Sequence, residues 1–418
     1  MWRRIFRPDV LFLVGSLQGV FPYALFLTDS VPDTITSMLS YYPLVMWAIG
    51  YLCFWAGTFL VRRHGPAGAH HETRLSFRAL KRAMGSLCVL SLLEMVGLTK
   101  LYGGVPLLMF ASGAASVNDT NNAEAASGFG QVGAALLTLH LLVSVLVVFL
   151  VKARQTRQSR GMVLRWLGLV GPIAFLLCVF NGKRQGLFMY AVIVAVASTL
   201  SLGSPVEVFR ASGKQRAGKW RTVLTVAVCA LLALPVISGF ANLRNNGRTT
   251  NSGWEELEAY YLFPTVNMSR QCIEAGGFGP ANFNPVGALA ALLPKKLLSP
   301  DLDYTAIPKV EPTSPSGFYE RLQWFTGLWG VVVFTFFCGA CSQWMYDLAP
   351  RSSAALLTYG FIAWALFSAP IYNHFLNPLF LPVPAIVFWM ASACYGEVSG
   401  LLQASRHAKE VRSLHMSV

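Results

Sequence analysis

Charged residues are scarce in this sequence of 418 residues, where they make up only 12% of the chain. Soluble globular proteins contain about 25% charged residues. The chain is instead 54% hydrophobic, and long apolar stretches recur along its whole length. The composition therefore excludes an ordinary soluble domain and predicts an integral membrane protein that crosses the bilayer many times.

Acidic residues are scarcer than basic ones, with 19 Asp and Glu against 33 Lys and Arg and a net charge of +14. Such an excess of cations can indicate a nucleic-acid partner. With the N-terminus in the cytoplasm, however, most of the cations fall in segments on the cytoplasmic side of the predicted spans. This is the positive-inside pattern of membrane proteins. It predicts contact with anionic membrane lipids and no nucleic-acid partner.

Cysteine is nearly missing from the predicted loops. Of the eight cysteines, all except Cys272 lie in predicted spans, which excludes a framework of external disulfides. Cys338 and Cys341 form a C-x-x-C pair within an apolar helix, without a second pair of ligands. We interpret them as packing residues, and no set of residues with metal-ligand spacing is visible.

Ten segments are long and apolar enough to span a bilayer. We expect an all-α polytopic membrane protein of about 10 transmembrane helices, with both termini cytoplasmic and with residues 1–418 forming one transmembrane domain. The N-terminal segment shows no signal-peptide cleavage site and is predicted to remain as the first span. The predicted spans are 9–28, 41–61, 84–102, 130–151, 164–181, 186–203, 222–240, 323–346, 353–371 and 375–396.

One predicted external loop, residues 241–322, is much longer than the others. Loops of this length are uncommon unless they are functional. Ser252 followed by Glu255 forms a capping box, which predicts a short helix that ends before Pro264. The apolar segment 285–298 is predicted to lie in the membrane interface.

Two adjacent cations lie in "FNGKRQG", within the short external turn between the spans 164–181 and 186–203. A cation held at this depth usually binds an anion, although both could also extend to lipid headgroups as ordinary anchors. Lys183 fits the anchor role. Arg184, followed by Gln185 and Gly186, suits a planar guanidinium that binds phosphate through two hydrogen bonds.

Further candidates lie in the external loops. Arg244 and Arg248 are four residues apart after the seventh span, where they could bind an anion or be ordinary loop cations. Arg270 and Arg321 are single cations, and Arg321 could simply pair with Glu320. His374, in "YNHFLN", could act as a base or be a satisfied interfacial histidine. Tyr261 and Tyr319 could stack on sugar rings or belong to the interfacial aromatic belt.

Several of these stretches resemble one family. Thr313, Ser314 and Ser316 precede Gly317, and "FTGLWG" then enters a span. The chain also contains a Gly-x-Arg turn at Gly182–Arg184, "GGVPLL" after the third span and "YYLFPTVN" early in the long loop. This layout resembles the bacterial oligosaccharide repeat-unit polymerases, the Wzy-type O-antigen polymerases.

The resemblance implies an all-helical membrane enzyme of the bacterial inner membrane with an external cavity facing the periplasm, roofed by the large loop. Such enzymes transfer a growing glycan from undecaprenyl diphosphate onto the end sugar of a fresh lipid-linked repeat unit, without a cofactor or metal. A chain-length regulator protein is an implied partner. For the chemistry of this transfer, our candidate catalytic residues are Arg184, His374 and Glu320. Our candidate substrate-binding residues are Lys183, Arg244, Arg248, Arg270, Tyr261, Tyr319 and Arg321.

Two other functions stay open. An O-antigen ligase catalyses the same class of reaction with a lipid A core acceptor, and the sequence separates the two poorly. A transporter or flippase for lipid-linked oligosaccharides would be favoured by inverted repeats with matching broken helices. No such repeat is visible, and the proline-rich last span has no counterpart in the first half.

Overall fold

A computed structural model of the chain describes 2–26, 39–64, 76–105, 131–156, 158–180, 185–203, 253–289, 292, 307, 317–371, 373–377 and 380–391. These residues form α-helices with short connections, and no β-strand occurs among them. The helices are α1 (Trp2–Ile5), α2 (Pro8–Phe26), α3 (Tyr42–His64), α4 (Phe77–Tyr102), α5 (Gln131–Gln155), α6 (Arg160–Phe180), α7 (Gln185–Leu202), α8 (Gly253–Glu274), α9 (Pro285–Leu289), α10 (Glu320–Leu348), α11 (Ser353–Phe367) and α12 (Pro382–Ala391).

Five helices in this part of the chain, α3, α4, α5, α6 and α10, are long and apolar enough to cross a membrane. Parts of α7, α11 and α12 are apolar but shorter. A helix is present in every predicted span except 222–240, which lies outside the described residues. The all-helical class is therefore confirmed, while the count of ten spans and the orientation of the termini stay predictions.

The outer helices expose apolar side chains, as expected for surfaces in contact with lipid. In α5, 78% of the apolar segment is buried inside the protein, whereas only 17% is buried in α6. The helix α5 is thus central, and α6 is peripheral. The exposed apolar residues of the peripheral helices α4 and α6 include Leu90, Leu93, Val96, Leu169 and Phe175. In water such a surface would be unfavourable, so it supports a membrane environment.

Polar contacts bring several helix ends to one face of the molecule. Arg7 and Arg62 both form ion pairs with Asp9, at 2.9 and 2.8 Å. The Arg62 Nε atom also donates to Gln343 Oε1 at 2.9 Å. Arg3 donates to the Leu200 carbonyl at 2.9 Å. The start of α2 and the ends of α3, α7 and α10 therefore lie together.

The same face includes the end of α5, because Lys152 and Gln155 line one pocket with Ser201 of α7 and with Arg351, which follows α10. It also includes the start of α4, because Lys152 Nζ lies 5.3 Å from the centre of the Phe77 ring. We call this the basic face, since the cation-rich segments 62–83, 152–163 and 204–221 leave from its helix ends. Their grouping agrees with the relative sidedness that the sequence predicts. The opposite helix ends form what we call the site face.

The site face joins the end of α2 and the start of α3 to α8. The Tyr23 hydroxyl donates to the Ser40 carbonyl at 2.6 Å, and the Ser40 N–H donates to Ser269 Oγ at 3.2 Å. The Tyr42 ring meets the Phe278 ring edge-on, with the ring centres 4.9 Å apart. The residues after α8 therefore pack directly against the bundle.

The predicted end of the helix in the long loop was wrong. The helix α8 does not stop before Pro264 but continues through it to Glu274. A proline inside a helix removes one backbone hydrogen bond and usually bends the helix. Here the following turns are buried almost all round, from Thr265 to Cys272. Packing on every side offsets the lost bond, which a local reading of the sequence could not show.

Candidate functional site

The start of α10 brings several sequence-predicted site residues to the site face. Its backbone is fixed to the segment after α11, because the Phe318 N–H donates to the Ala369 carbonyl at 3.0 Å. The Asn373 side-chain amide donates to the Phe318 carbonyl at 2.8 Å. Glu320 and Arg321 follow on the first turn of α10, and both are buried. We call residues 317–323 the α10 entry.

Glu320 closes the turn that leads into α10. Its Oε1 atom accepts a hydrogen bond from the Gly317 N–H at 2.6 Å. A carboxylate in the first turn is also favoured by the helix dipole. Gly317 is enclosed, because a Cβ atom there would lie 3.1 Å from the Pro370 carbonyl oxygen and 3.2 Å from Pro264. One carboxylate oxygen of Glu320 is therefore committed to the backbone of the site.

Arg321 joins α9 to α10. Its Nε atom donates to the Gly287 carbonyl at 2.7 Å, and its guanidinium carbon lies 5.4 Å from the centre of the Phe325 ring. Gly287 packs against that same ring, since a Cβ atom would come within 2.7 Å of it. A buried guanidinium is expensive unless its donors are satisfied. The contacts of Arg321 fix a positive charge next to Glu320 inside the protein.

A break in α10 lies six residues beyond Arg321. Gly327 has φ 63° and ψ −162°, which interrupts the helix, and a Cβ atom there would lie 2.9 Å from the Phe278 carbonyl oxygen. The chain segment after α8 uses the backbone groups that the break frees. The Leu328 N–H donates to the Phe278 carbonyl at 2.9 Å, and the Trp324 carbonyl accepts from the Ala281 N–H at 3.1 Å.

Two further bonds hold the same segment over the α10 entry. The Asn284 N–H donates to the Phe325 carbonyl at 2.9 Å, and the Gln323 side-chain amide donates to the Gly279 carbonyl at 3.0 Å. Irregular backbone at membrane depth is tolerated where protein buries it or where it lines a cavity. The broken helix and the segment 278–284 therefore form one unit that positions Glu320 and Arg321.

The middle of α8 adds a row of buried polar side chains to this region. Thr265, Asn267, Ser269 and Gln271 are all enclosed, and Ser269 accepts the bond from Ser40 described above. Cys272 follows them, and burial raises the pKa of its thiol to about 12, so it is an unreactive packing residue. In the sequence this polar row resembles an ordinary hydrophilic loop, so local patterns do not reveal it.

His374 lies in a single 3-10 turn, His374–Leu376, after α11. It is buried against Phe380, with ring centres 4.7 Å apart, and desolvation lowers its pKa to about 3. The imidazole is therefore neutral at pH 7, because burial disfavours its charged form. A neutral imidazole can accept a proton, but one with this pKa is a weak base.

A second buried histidine was not identified from the sequence. His140 of α5 has its Nδ1 atom 2.7 Å from the Tyr190 hydroxyl of α7. Its ring centre lies 5.2 Å from that of Phe380, so one phenylalanine separates His140 from His374. A histidine within the apolar run "LLTLHLLVSVLVV" was the available signal, since ionisable residues inside spans often mark function.

The remaining described candidates have structural partners. Arg270 pairs with Glu274 one turn along α8, with Nε 2.8 Å from Oε1, and both side chains are partly exposed. Tyr319 is buried, with its hydroxyl against Gly50 and its ring 4.6 Å from that of Trp47. It therefore packs between helices and does not offer its ring as an open sugar platform. Tyr261 lies within α8, and its side chain is outside the described part.

The four other predicted cations, Lys183, Arg184, Arg244 and Arg248, lie outside the described residues. Arg184 directly precedes α7. Because α7 ends at the basic face, its first residue, Gln185, lies towards the site face.

No three His, Cys, Asp or Glu side chains come together as a possible metal site in the described part of the chain. Comparison with protein-family models, curated proteins and solved structures finds no match for this chain.

Proposed function

We propose that the protein is a membrane glycosyltransferase that polymerises undecaprenyl-diphosphate-linked oligosaccharide repeat units. The proposed location is the bacterial inner membrane, with the site face towards the periplasm. The product would be O-antigen or a related surface polysaccharide. The proposal rests on the likeness of residues 317–346 to Wzy-type polymerases and on the geometry of the same residues.

One observation carries most of the argument. The stretch with the family likeness forms an apolar helix that is broken at Gly327, and its first turn holds buried Glu320 and Arg321. This unit lies opposite the basic face, and it is covered by the segment 278–284. A broken helix with buried charges is costly in a membrane, and such features typically mark binding or catalytic sites.

The proposed reaction breaks the bond between the anomeric carbon of the donor glycan and its lipid diphosphate. A hydroxyl of the acceptor repeat unit forms the new bond to that carbon and releases its proton. Undecaprenyl diphosphate leaves with the bonding electron pair. Fixed guanidinium groups stabilise the departing charge, and we assign this role to Arg184, supported by Lys183, Arg244 and Arg248.

The proposal depends less on which residue accepts the proton. His374 is neutral but a weak base, and one oxygen of Glu320 accepts a backbone bond. The diphosphate is a good leaving group, so its stabilisation and the positioning of the two sugars would supply most of the acceleration. Glu320 and His374 stay candidates for orienting the acceptor.

The test uses purified full-length protein in lipid vesicles with a synthetic undecaprenyl-diphosphate repeat unit and no nucleotide sugar. We expect a ladder of glycan lengths, and Arg184→Ala should lower the rate by about 100-fold or more. Arg63→Ala is the matched control, because Arg63 is an exposed cation at the opposite end of the bundle. Equal ladders from Arg184→Ala and wild type would overturn the site assignment.

A transporter or flippase is the second candidate, and the break at Gly327 favours it, because transporters build midplane sites from interrupted helices. In vesicles a transporter would move the labelled lipid-linked repeat unit between leaflets without lengthening its glycan. An O-antigen ligase would lengthen nothing until lipid A core is supplied as acceptor. The same vesicle preparation therefore separates all three functions.

A further inference from the structure

A small pocket opens on the basic face, far from the site face. It lies between the ends of α5 and α7 and the turn that joins α10 to α11, and its volume is about 50 Å³. Polar groups from three parts of the chain line it. They are Lys152, Gln155, Ser201, Arg351, Ser352 and Ser353.

The lining of the pocket is positively charged. Lys152 and Arg351 contribute two positive charges, and no carboxylate is among the lining residues. The Lys152 ammonium lies 5.3 Å from the centre of the Phe77 ring, which does not line the pocket, so Lys152 would turn from this ring to bind an anion. Ser352 caps α11 by accepting from the Ala355 N–H at 3.3 Å, so the positive end of the α11 dipole adds to the two charges.

The pocket also has an apolar wall, formed by Val148, Val151 and Leu356. It lies where apolar helices end, which is the depth of lipid headgroups in a membrane. Basic pockets between transmembrane helices commonly bind phosphate headgroups. A free phosphate would use the charges alone, whereas a lipid would use the charges and the apolar wall together.

We propose that this pocket binds a phosphate group between Lys152 and Arg351, in the form of an anionic phospholipid headgroup or of free inorganic phosphate. The site is independent of the proposed glycosyltransferase activity. A lipid bound there would link α5, α7 and α11 at the basic face. The apolar wall makes an anionic phospholipid the expected occupant.

The test is native mass spectrometry of the purified full-length protein with phosphatidylglycerol, and with zwitterionic phosphatidylcholine for comparison. We expect phosphatidylglycerol to bind more tightly, and Lys152→Gln/Arg351→Gln to weaken that binding by about tenfold. The control is Arg63→Gln/Arg82→Gln, which removes two exposed cations that do not line the pocket. It should leave the affinity for phosphatidylglycerol unchanged.

Competition by inorganic phosphate separates the two sources of the ligand. Displacement of the lipid by millimolar phosphate would show that the pocket takes the free anion as well, and no displacement would show that it requires the lipid. Arg351→Gln alone changes one exposed side chain and should fold normally. The proposal is overturned if the double variant binds phosphatidylglycerol like wild type, or if the control pair loses as much.

Discussion

Gly327 shows at the scale of a single residue why α10 can be broken. Its φ of 63° with ψ of −162° lies in a region that is open essentially to glycine alone. The space is closed as well, because a Cβ atom would lie 2.9 Å from the Phe278 carbonyl oxygen and 2.9 Å from the Pro280 nitrogen. Backbone atoms cannot move aside as cheaply as a side chain could.

We therefore expect Gly327→Ala to destabilise the protein by about 1–3 kcal/mol and to lower its melting temperature in detergent. Gly85→Ala is the control, since nothing lies within 4 Å of a Cβ atom there and α4 is a helix without proline. The control should be neutral or slightly stabilising. Equal melting temperatures for Gly327→Ala and wild type would contradict the described break.

At the same scale, His374 predicts how the stability of the protein depends on pH. Its pKa falls from 6.5 to about 3 on burial, so between these values the unfolded chain binds more protons than the folded protein. Stability must then rise with pH in this range, by up to about 1.4 kcal/mol per pH unit from this one group. The contribution is fully present above pH 6.5 and is lost as the pH falls towards 3.

Replacing the imidazole should remove this dependence. We expect His374→Gln to show a smaller fall in melting temperature between pH 7 and pH 5 than wild type, whatever its stability at pH 7. Thermal unfolding followed by intrinsic fluorescence at both pH values measures the two differences. Identical pH dependence in the two proteins would mean that His374 is not buried in its neutral form.

At the scale of elements, Asp9 holds three helices together at the basic face. It pairs with Arg7 before α2 and with Arg62 of α3, and Arg62 continues to Gln343 of α10. The side chain of Asp9 is only 12% exposed, whereas Arg270 and Glu274 on the site face are 43% and 36% exposed. Comparing the Asp9 ion pairs with the Arg270–Glu274 pair therefore shows how burial changes the contribution of an ion pair to stability.

Asp9→Asn should destabilise the protein by about 2 kcal/mol, because it leaves two partly buried guanidinium groups without their countercharge. Glu274→Gln should cost less than about 0.5 kcal/mol, as is usual for an exposed pair. Chemical or thermal unfolding in detergent compares the two variants. If Glu274→Gln were as destabilising as Asp9→Asn, the burial of the Asp9 ion pairs would add nothing to their contribution to stability.

The elements also show how far the sequence could predict the fold. Apolar runs predicted the positions of α2 to α7 correctly. A helix that spans a bilayer must be long and apolar, and both properties can be read from one continuous segment of sequence. Apolar runs failed at α8, where polar residues such as Asn267 and Gln271 are buried by helices distant in sequence. The sequence "FTGLWG" contains the helix break, but neither the break at Gly327 nor its bonds to 278–284 can be predicted from local patterns.

For the candidate site, charge and position in the sequence selected Glu320, Arg321 and His374, and their functional roles stay predictions. Glu320 and Arg321 belong to the α10 entry, and His374 follows Asn373, which donates to the Phe318 carbonyl there. Their burial and their committed bonds depend on tertiary packing. Arg270 forms an ion pair with Glu274, and the Tyr319 ring packs against Trp47. These contacts explain the positions of both side chains without a bound sugar. His140 is inconspicuous in the sequence because it lies within a long apolar run.

At the scale of the whole molecule, the bundle has two unlike faces. The basic face gathers the cation-rich helix ends and the pocket formed by Lys152 and Arg351. The site face gathers the broken helix, the buried polar row of α8 and the start of α7. If the basic face is cytoplasmic, as its charge predicts, the site face lies on the outer side of the membrane, where the proposed lipid-linked substrates would bind.

The most direct measurement is the stoichiometry of the reaction in vesicles that contain only the wild-type protein and a synthetic undecaprenyl-diphosphate repeat unit. Mass spectrometry would follow glycan length and released undecaprenyl diphosphate together. We predict one molecule of undecaprenyl diphosphate released for each repeat unit joined, with no nucleotide sugar consumed. Repeat units that stay single, with no lipid diphosphate released, would contradict the proposed polymerase.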